Sequence, residues 1–126
     1  MNITQLDHLV LTVKDIQASI DFYTRVLGMQ EVEFADGRKA LSFGRQKINL
    51  HVTGSEFTPH AAKPTPGSAD LCFICDTSLE KILSELNALQ VDIIEGPVER
   101  TGATVKLLSI YIADPDNNLI ELAEQV

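Results

Sequence analysis

Apolar and polar positions along this chain fall into two successive sets of the same shape. In the first, residues 3–13 read as a strand whose second half, around Leu9, Val10 and Leu11, is apolar on both faces. Asp15 then has the place of an N-cap for a helix over residues 16–27. Ile16, Ile20, Tyr23 and Leu27 lie on one face of it, and Gly28 follows its end. Two alternating runs, residues 31–34 and 39–43, flank Asp36-Gly37, a hairpin signal. A fourth strand is predicted over residues 47–52.

The second set repeats this order. Residues 70–75 read as a strand, Ser78 or Thr77 caps a helix over residues 79–89, and residues 91–94 read as a strand ending at Gly96-Pro97. The longest strand is predicted over residues 105–113. The turn Asp114-Pro115-Asp116-Asn117-Asn118 feeds a last strand over residues 119–123. Between the sets lies a connection rich in proline, too long for an ordinary loop, with Pro59, Pro64, Pro66 and Gly67. The domain organisation expected is one domain, residues 1–126, built of module 1 (1–53), a connection (54–68) and module 2 (69–126).

The repeat places metal-capable side chains at matching strand positions. His8 pairs with Asp70 at an offset of 62 (70 − 8), and Leu9 then falls on Leu71, Ile20 on Ile82 and Leu27 on Leu89. His51 pairs with Glu121 at an offset of 70 (121 − 51), which implies about eight extra residues in the second module, assigned to Val98 through Ala103. Because strand side chains alternate, the apolar neighbours of each of these four residues take the other face, where a helix would pack. His8, His51, Asp70 and Glu121 are therefore expected on the faces turned away from the helices. Buried carboxylates on such a face require a cation or an arginine nearby.

Composition narrows the function classes. One domain of 126 residues with 44% apolar residues is long enough for a sizeable core. A net charge of −8 argues against a nucleic-acid surface, which needs an excess of Lys and Arg. No apolar run approaches a membrane span, and no basic region followed by an apolar stretch opens the chain, so the cytoplasm is the expected location. Cys72 and Cys75 form a C-x-x-C, but within a strand their side chains point to opposite faces, so two small buried apolar residues are expected rather than a redox pair.

Three segments, Leu-Asp-His-Leu-Val-Leu at the start, Ser-Ile-Asp-Phe-Tyr-Thr-Arg-Val-Leu-Gly-Met in the first helix and Asp-Pro-Asp-Asn-Asn-Leu-Ile-Glu-Leu at the close, resemble the vicinal oxygen chelate superfamily. This is the glyoxalase, bleomycin-resistance and extradiol-dioxygenase group. The Arg-Thr-Gly segment before the penultimate strand resembles a subgroup of small glyoxalase-domain-containing proteins. The resemblance implies an α+β fold of two βαβββ modules forming an open, cupped mixed β-barrel, usually as a homodimer. It places metal ligands on the first, fourth, fifth and eighth strands, which fall on His8, His51, Asp70 and Glu121. Two of these depart from the family pattern. His51 stands where Glu or Gln is common, and Asp70 where His is usual. Asp70 is shorter than His, so it either reaches a metal through water or holds His51.

Such N/O ligands suit Zn²⁺, Ni²⁺, Mn²⁺, Fe²⁺ or Co²⁺ without choosing among them. The shared chemistry of the family is chelation of a substrate through neighbouring oxygens, with the cation stabilising an enediolate or similar oxyanion. In the glyoxalase version Glu121 is the expected catalytic base. A second carboxylate usual on the fourth strand is replaced by His51, which speaks against the two-base glutathione version. Arg100 and Thr101 are candidates for an anionic substrate group, with a solvated loop charge as the alternative for Arg100. Ser109 and Tyr111 share a strand face and are candidates for donating to a substrate oxygen, with core packing as the alternative for Tyr111. His60, in the proline-rich connection, is given no role.

The favoured function is a metal-dependent, glyoxalase-type lyase or isomerase acting on a small molecule, with a glutathione adduct among the substrates weighed. Two alternatives remain. One is another enzyme on the scaffold, an extradiol-type dioxygenase or a fosfomycin-type thiol transferase. The other is a metal-free bleomycin-type binding protein.

Overall fold

Asp15 accepts a hydrogen bond from the Ala18 N–H at 3.1 Å and so opens helix α1 (Ile16–Arg25). Ser78 does the same for Lys81 at 3.3 Å and opens α2 (Leu79–Ala88). Past α1, Gly28 takes a φ of +72°, a conformation available to glycine at little cost, and its N–H caps the Thr24 carbonyl. These local signals set the frame of a computed structural model that describes all 126 residues.

The chain divides into two units, Met1–Gly67 and Ser68–Val126. The first contains β1 (His8–Val13), α1, β2 (Gln30–Phe34), β3 (Arg38–Phe43) and β4 (Gln46–Val52), in the sheet order β1-β4-β3-β2. The second contains β5 (Asp70–Ile74), α2, β6 (Glu95–Thr101), β7 (Lys106–Ala113) and β8 (Leu119–Gln125), in the order β5-β8-β7-β6. In each sheet the first strand runs parallel to the last and the others are antiparallel. The architecture is thus α+β, with one βαβββ module per unit. No helix is long and apolar enough to cross a membrane.

Each unit buries one face of its sheet under its own helix. In the first, Leu11, Val13, Leu41, Ile48 and Leu50 are buried with Ile20 and Tyr23 of α1. In the second, Ile110, Ile112, Ile120 and Leu122 are buried with Leu79, Ile82 and Leu86 of α2. Each such aliphatic side chain is worth about 1.5–3 kcal/mol on leaving water. The opposite faces carry the polar chemistry, as the alternation of side chains predicts.

Three expectations need correction. The first strand starts at His8, not at residue 3, and Ile3 and Leu6 are exposed. Residues 91–94 are not a strand; β6 starts at Glu95 and runs through Gly96-Pro97. That dipeptide reads as a break because proline has no N–H. As an edge strand, however, β6 tolerates a proline, and the register with β7 shifts between Glu95 and Val98. Gly96, at φ +103°, makes the bulge possible: a Cβ there would lie 2.5 Å from the Ser109 carbonyl oxygen.

The third correction concerns the repeat. His8 is in register with Lys47, and Asp70 with Leu119, so the equivalent strands are offset by 72 (119 − 47). The counterpart of Glu121 in the first unit is therefore Asn49, and the insertion amounts to ten residues.

Candidate functional site

The turn between β7 and β8 sets the site of the second unit. Asp114 accepts from the N–H groups of Asp116 and Asn118, each at 2.9 Å, and from the Asn118 amide at 2.8 Å. Asn118 in turn accepts from the Ala69 N–H at 2.8 Å, and the Leu119 N–H reaches the Ala69 carbonyl at 3.1 Å. One loop thereby fixes where β5 and β8 begin, and with them Asp70 and Glu121.

Across the face turned away from α2, strand pairing makes one row of Cys72, Glu121, Tyr111 and Glu95. Ser109, buried, donates its hydroxyl hydrogen to Glu121 Oε2 at 2.7 Å. Arg100 Nε donates to the Tyr111 oxygen at 2.9 Å, while another guanidinium nitrogen donates to Glu95 at 2.7 Å. With that oxygen accepting from Arg100, the Tyr111 hydroxyl hydrogen goes to the neighbouring Glu121 carboxylate. Burial and the neighbouring Glu121 raise the Tyr111 pKa, while Arg100 opposes them, so the group stays a phenol at neutral pH. Asp70, Ile94, Glu95, Arg100, Tyr111, Leu119 and Glu121 line a cavity of about 470 Å³. That volume suits a small organic molecule.

Of the second-unit candidates, Asp70, Arg100, Tyr111 and Glu121 therefore share one cavity. Thr101 does not join them: Arg100 lies in a strand, not a loop, so its neighbour points to the other face. Ser109 is committed to Glu121 instead of being open to a substrate. Glu95 escapes the sequence pattern, which predicts a strand over residues 91–94 and not one starting at Glu95.

Cys72 and Cys75 are both free, and Cys72 is exposed rather than buried. Desolvation, with Glu121 next to it, pushes the Cys72 thiol up to about 11. It is therefore a neutral thiol and neither a nucleophile nor a ready metal ligand at pH 7.

In the first unit, His8 is exposed and its Nδ1 lies 2.8 Å from Asp7 Oδ2. The carboxylate engages Nδ1, so Nε2 is the ring nitrogen turned away from Asp7, the arrangement in which a carboxylate orients a metal-binding histidine. His51 is placed elsewhere. It is in register with Thr12, four residues beyond the partner of His8, or roughly 13 Å along the strands. The register thus does not bring His8 and His51 to one ion. His51 is only 2% exposed, its Nε2 faces an Arg38 nitrogen at 3.4 Å, and Phe57 packs edge-on at 5.4 Å between ring centres. Burial first, and then Arg38, lower its pKa. Within neither unit do three or more His, Cys, Asp or Glu side chains gather as a ligand group.

Comparison with known proteins places this geometry. The sequence profile described as Glyoxalase/Bleomycin resistance protein/Dioxygenase superfamily matches residues 5–122. The chain is 57% identical over 126 residues to a virulence protein of Salmonella typhimurium, covering 100% of this chain and 88% of that protein. The crystal structure of that protein superposes with a TM-score of 0.99 over 100% of both chains. This chain is also 54% identical to a glyoxalase domain-containing protein of Mycosarcoma maydis, over 98% of this chain and 69% of the relative. A lactoylglutathione lyase of Pseudomonas aeruginosa is 28% identical over 94% of this chain and 81% of its own length.

Proposed function

The chain belongs to the Glyoxalase/Bleomycin resistance protein/Dioxygenase superfamily, and on that footing we propose that it is a metal-dependent lyase or isomerase of glyoxalase type. Its substrate is a small molecule with neighbouring oxygens. The observation that carries the reading is the Glu121 carboxylate, oriented by the Ser109 hydroxyl at the wall of a cavity that also holds Tyr111 and Arg100.

Glu121 takes the part of general base, removing a proton from carbon next to a carbonyl and returning it to the adjacent atom. Ser109 fixes one carboxylate oxygen, Oε2, and so orients the base. Tyr111, its oxygen already accepting from Arg100, turns its hydroxyl hydrogen from Glu121 to the substrate oxygen on which negative charge develops as Glu121 takes the proton. Arg100 is held in place at both ends, by Tyr111 and Glu95, so little reorganisation accompanies the reaction.

The residues present fit a divalent cation in part. Within the second unit Asp70 and Glu121 would supply oxygen ligands; within the first, His8, oriented by Asp7, would supply an imidazole nitrogen. Such an ion would supply Lewis-acid stabilisation of the two substrate oxygens. His51 stays out of this set. The fourth-strand register position carries the amide of Asn49 and no carboxylate. Glu121 therefore acts as the single base, and the preferred substrates need not be glutathione adducts. The reading includes a cytoplasmic homodimer, which light scattering tests.

The deciding experiment is metal analysis of protein purified without chelators, with His8→Ala and Glu121→Gln alongside, followed by turnover of methylglyoxal with and without glutathione. Stoichiometric metal lost in both variants, with turnover abolished in Glu121→Gln, is the expected result. A parent protein that takes up no metal even after reconstitution, and turns nothing over, would favour a small-molecule-binding protein. That second reading draws on the lack of a three-residue ligand group within either unit.

A further inference from the structure

Arg100 stands near two carboxylates and binds the more exposed one. One guanidinium nitrogen, Nη2, donates to Glu95 at 2.7 Å, and the two side chains are 39% and 59% exposed. An ion pair so open to water adds little to stability. Nε donates to the Tyr111 oxygen at 2.9 Å, and the Tyr111 hydroxyl hydrogen goes to Glu121. The guanidinium is thus one hydroxyl group away from Glu121. The bond to Tyr111 first, and then the charges of Glu95 and Glu121, raise the Arg100 pKa, so both carboxylates act on it. Glu121 is half-buried and Glu95 exposed, so a pair formed with Glu121 would be screened less. A charge-assisted bond to a carboxylate is also stronger than one to a neutral phenol. Left to itself, Arg100 would exchange the Tyr111 oxygen for Glu121.

The shape of β6 opposes that exchange. Glu95 pairs with Tyr111 and Tyr111 with Glu121, so Tyr111 stands between the two carboxylates. Arg100 starts farther along β6, opposite Leu107, and a second nitrogen, Nη1, donates to the Glu99 carbonyl at 3.1 Å. Glu95 therefore draws the fork of the guanidinium to the end of the row away from Glu121. The bulge puts Glu95 there. Regular pairing continued from Val98 and Ser109 would set Gly96 opposite Tyr111 and turn Glu95 to the face covered by α2. The register shift between Glu95 and Val98, which Gly96 permits at φ +103°, brings the carboxylate back to the cavity face.

We propose that Glu95 is a positioning residue that holds Arg100 off Glu121. The inference rests on the reading of Glu121 as the base. A guanidinium lying on Glu121 would cover the oxygen lone pairs that must take the proton. It would also leave the Tyr111 oxygen without the donor that supports it. Glu95 acts through Arg100 alone: it keeps the carboxylate open and Tyr111 in its place between the two.

The test compares Glu95→Ala, Arg100→Met and the double variant in the full chain, by steady-state kinetics with methylglyoxal and by a crystal structure of Glu95→Ala. Glu95→Ala is expected to lower kcat by about tenfold or more, with KM changed by less than about twofold. Its crystal structure should show an Arg100 nitrogen at about 3 Å from a Glu121 oxygen. Arg100→Met alone slows the reaction, because Tyr111 loses its donor. Added to Glu95→Ala, however, it should recover part of the lost kcat, because no guanidinium is left to cover the base. Glu95→Gln keeps an acceptor for Nη2 without the charge and should fall between the parent and Glu95→Ala; it serves as the second variant should Glu95→Ala fail to fold. Arg100 still on Tyr111, or turned out to solvent, in the Glu95→Ala crystal would overturn the proposal. So would a double variant no faster than Glu95→Ala. A parent that turns over nothing counts against Glu121 as the base, whereas the crystal structure decides the place of Arg100 in either case.

Discussion

Asn49 holds in the first sheet the register position that Glu121 holds in the second. Each lies two residues beyond the partner of the first residue of the neighbouring parallel strand, His8 in one case and Asp70 in the other. The repeat therefore sets an amide against a carboxylate. Only the second unit has a carboxylate at that position, and the proposed reaction takes its base from there.

Tyr111→Phe removes the oxygen that accepts from Arg100 Nε and that, in the proposed reaction, donates to the substrate. Turnover is expected to fall by about 10²-fold or more while the melting temperature moves little, because the ring stays partly exposed. Steady-state kinetics next to thermal denaturation check this. A large loss of stability with kcat unchanged would assign Tyr111 to packing.

Cys72 is exposed, yet its thiol is pushed up to about 11, first by desolvation and then by Glu121. At pH 8 only about one molecule in a thousand carries the thiolate, so alkylation by iodoacetamide should be slow despite the exposure. Glu121→Gln removes the charge contribution and should speed the reaction at the same pH. Peptide mapping separates Cys72 from Cys75. Equal rates in both proteins would show that Glu121 does not act on the thiol.

His51 makes stability depend on pH in a defined direction. Its pKa in the folded chain lies below the usual 6.5, so the unfolded chain binds the proton more readily. The contribution is fully present above 6.5 and is lost as the pH falls below it toward the folded value. Urea midpoints measured between pH 8 and pH 5 should therefore decline more steeply in the parent than in His51→Gln. Parallel curves would count against a buried neutral imidazole.

Gly96→Ala tests the bulge. The added Cβ would meet the Ser109 carbonyl oxygen at 2.5 Å with φ at +103°, so the strand must move. A loss of about 2 kcal/mol or more is expected by urea denaturation. Because Glu95 and Arg100 both belong to β6, turnover should fall as well. A neutral substitution would mean that the edge strand yields freely.

Some of this was written in the chain without reference to any fold. Asp15 and Ser78 announce helix starts because their side chains satisfy N–H groups left open at the first turn. Strand alternation put His8, His51, Asp70 and Glu121 on faces away from the helices, since apolar neighbours must go where the helix covers them. The position of β6 was hidden because Gly96-Pro97 looks like a break unless the strand is known to be an edge. Arg38 drew no notice beside a hairpin turn, and only pairing across β3 and β4 brings it to His51.

Local physics, acting over a few residues, thus settles elements, caps and faces from sequence alone. Register is another matter, because it depends on backbone hydrogen bonds between segments far apart in the chain. That pairing assigned Asn49 and not His51 to the position equivalent to Glu121, spent the Ser109 hydroxyl on a carboxylate, and separated Arg100 from Thr101. A shift of two residues preserves every face while moving each side chain about 7 Å along its strand, so no pattern of polar and apolar letters can detect it.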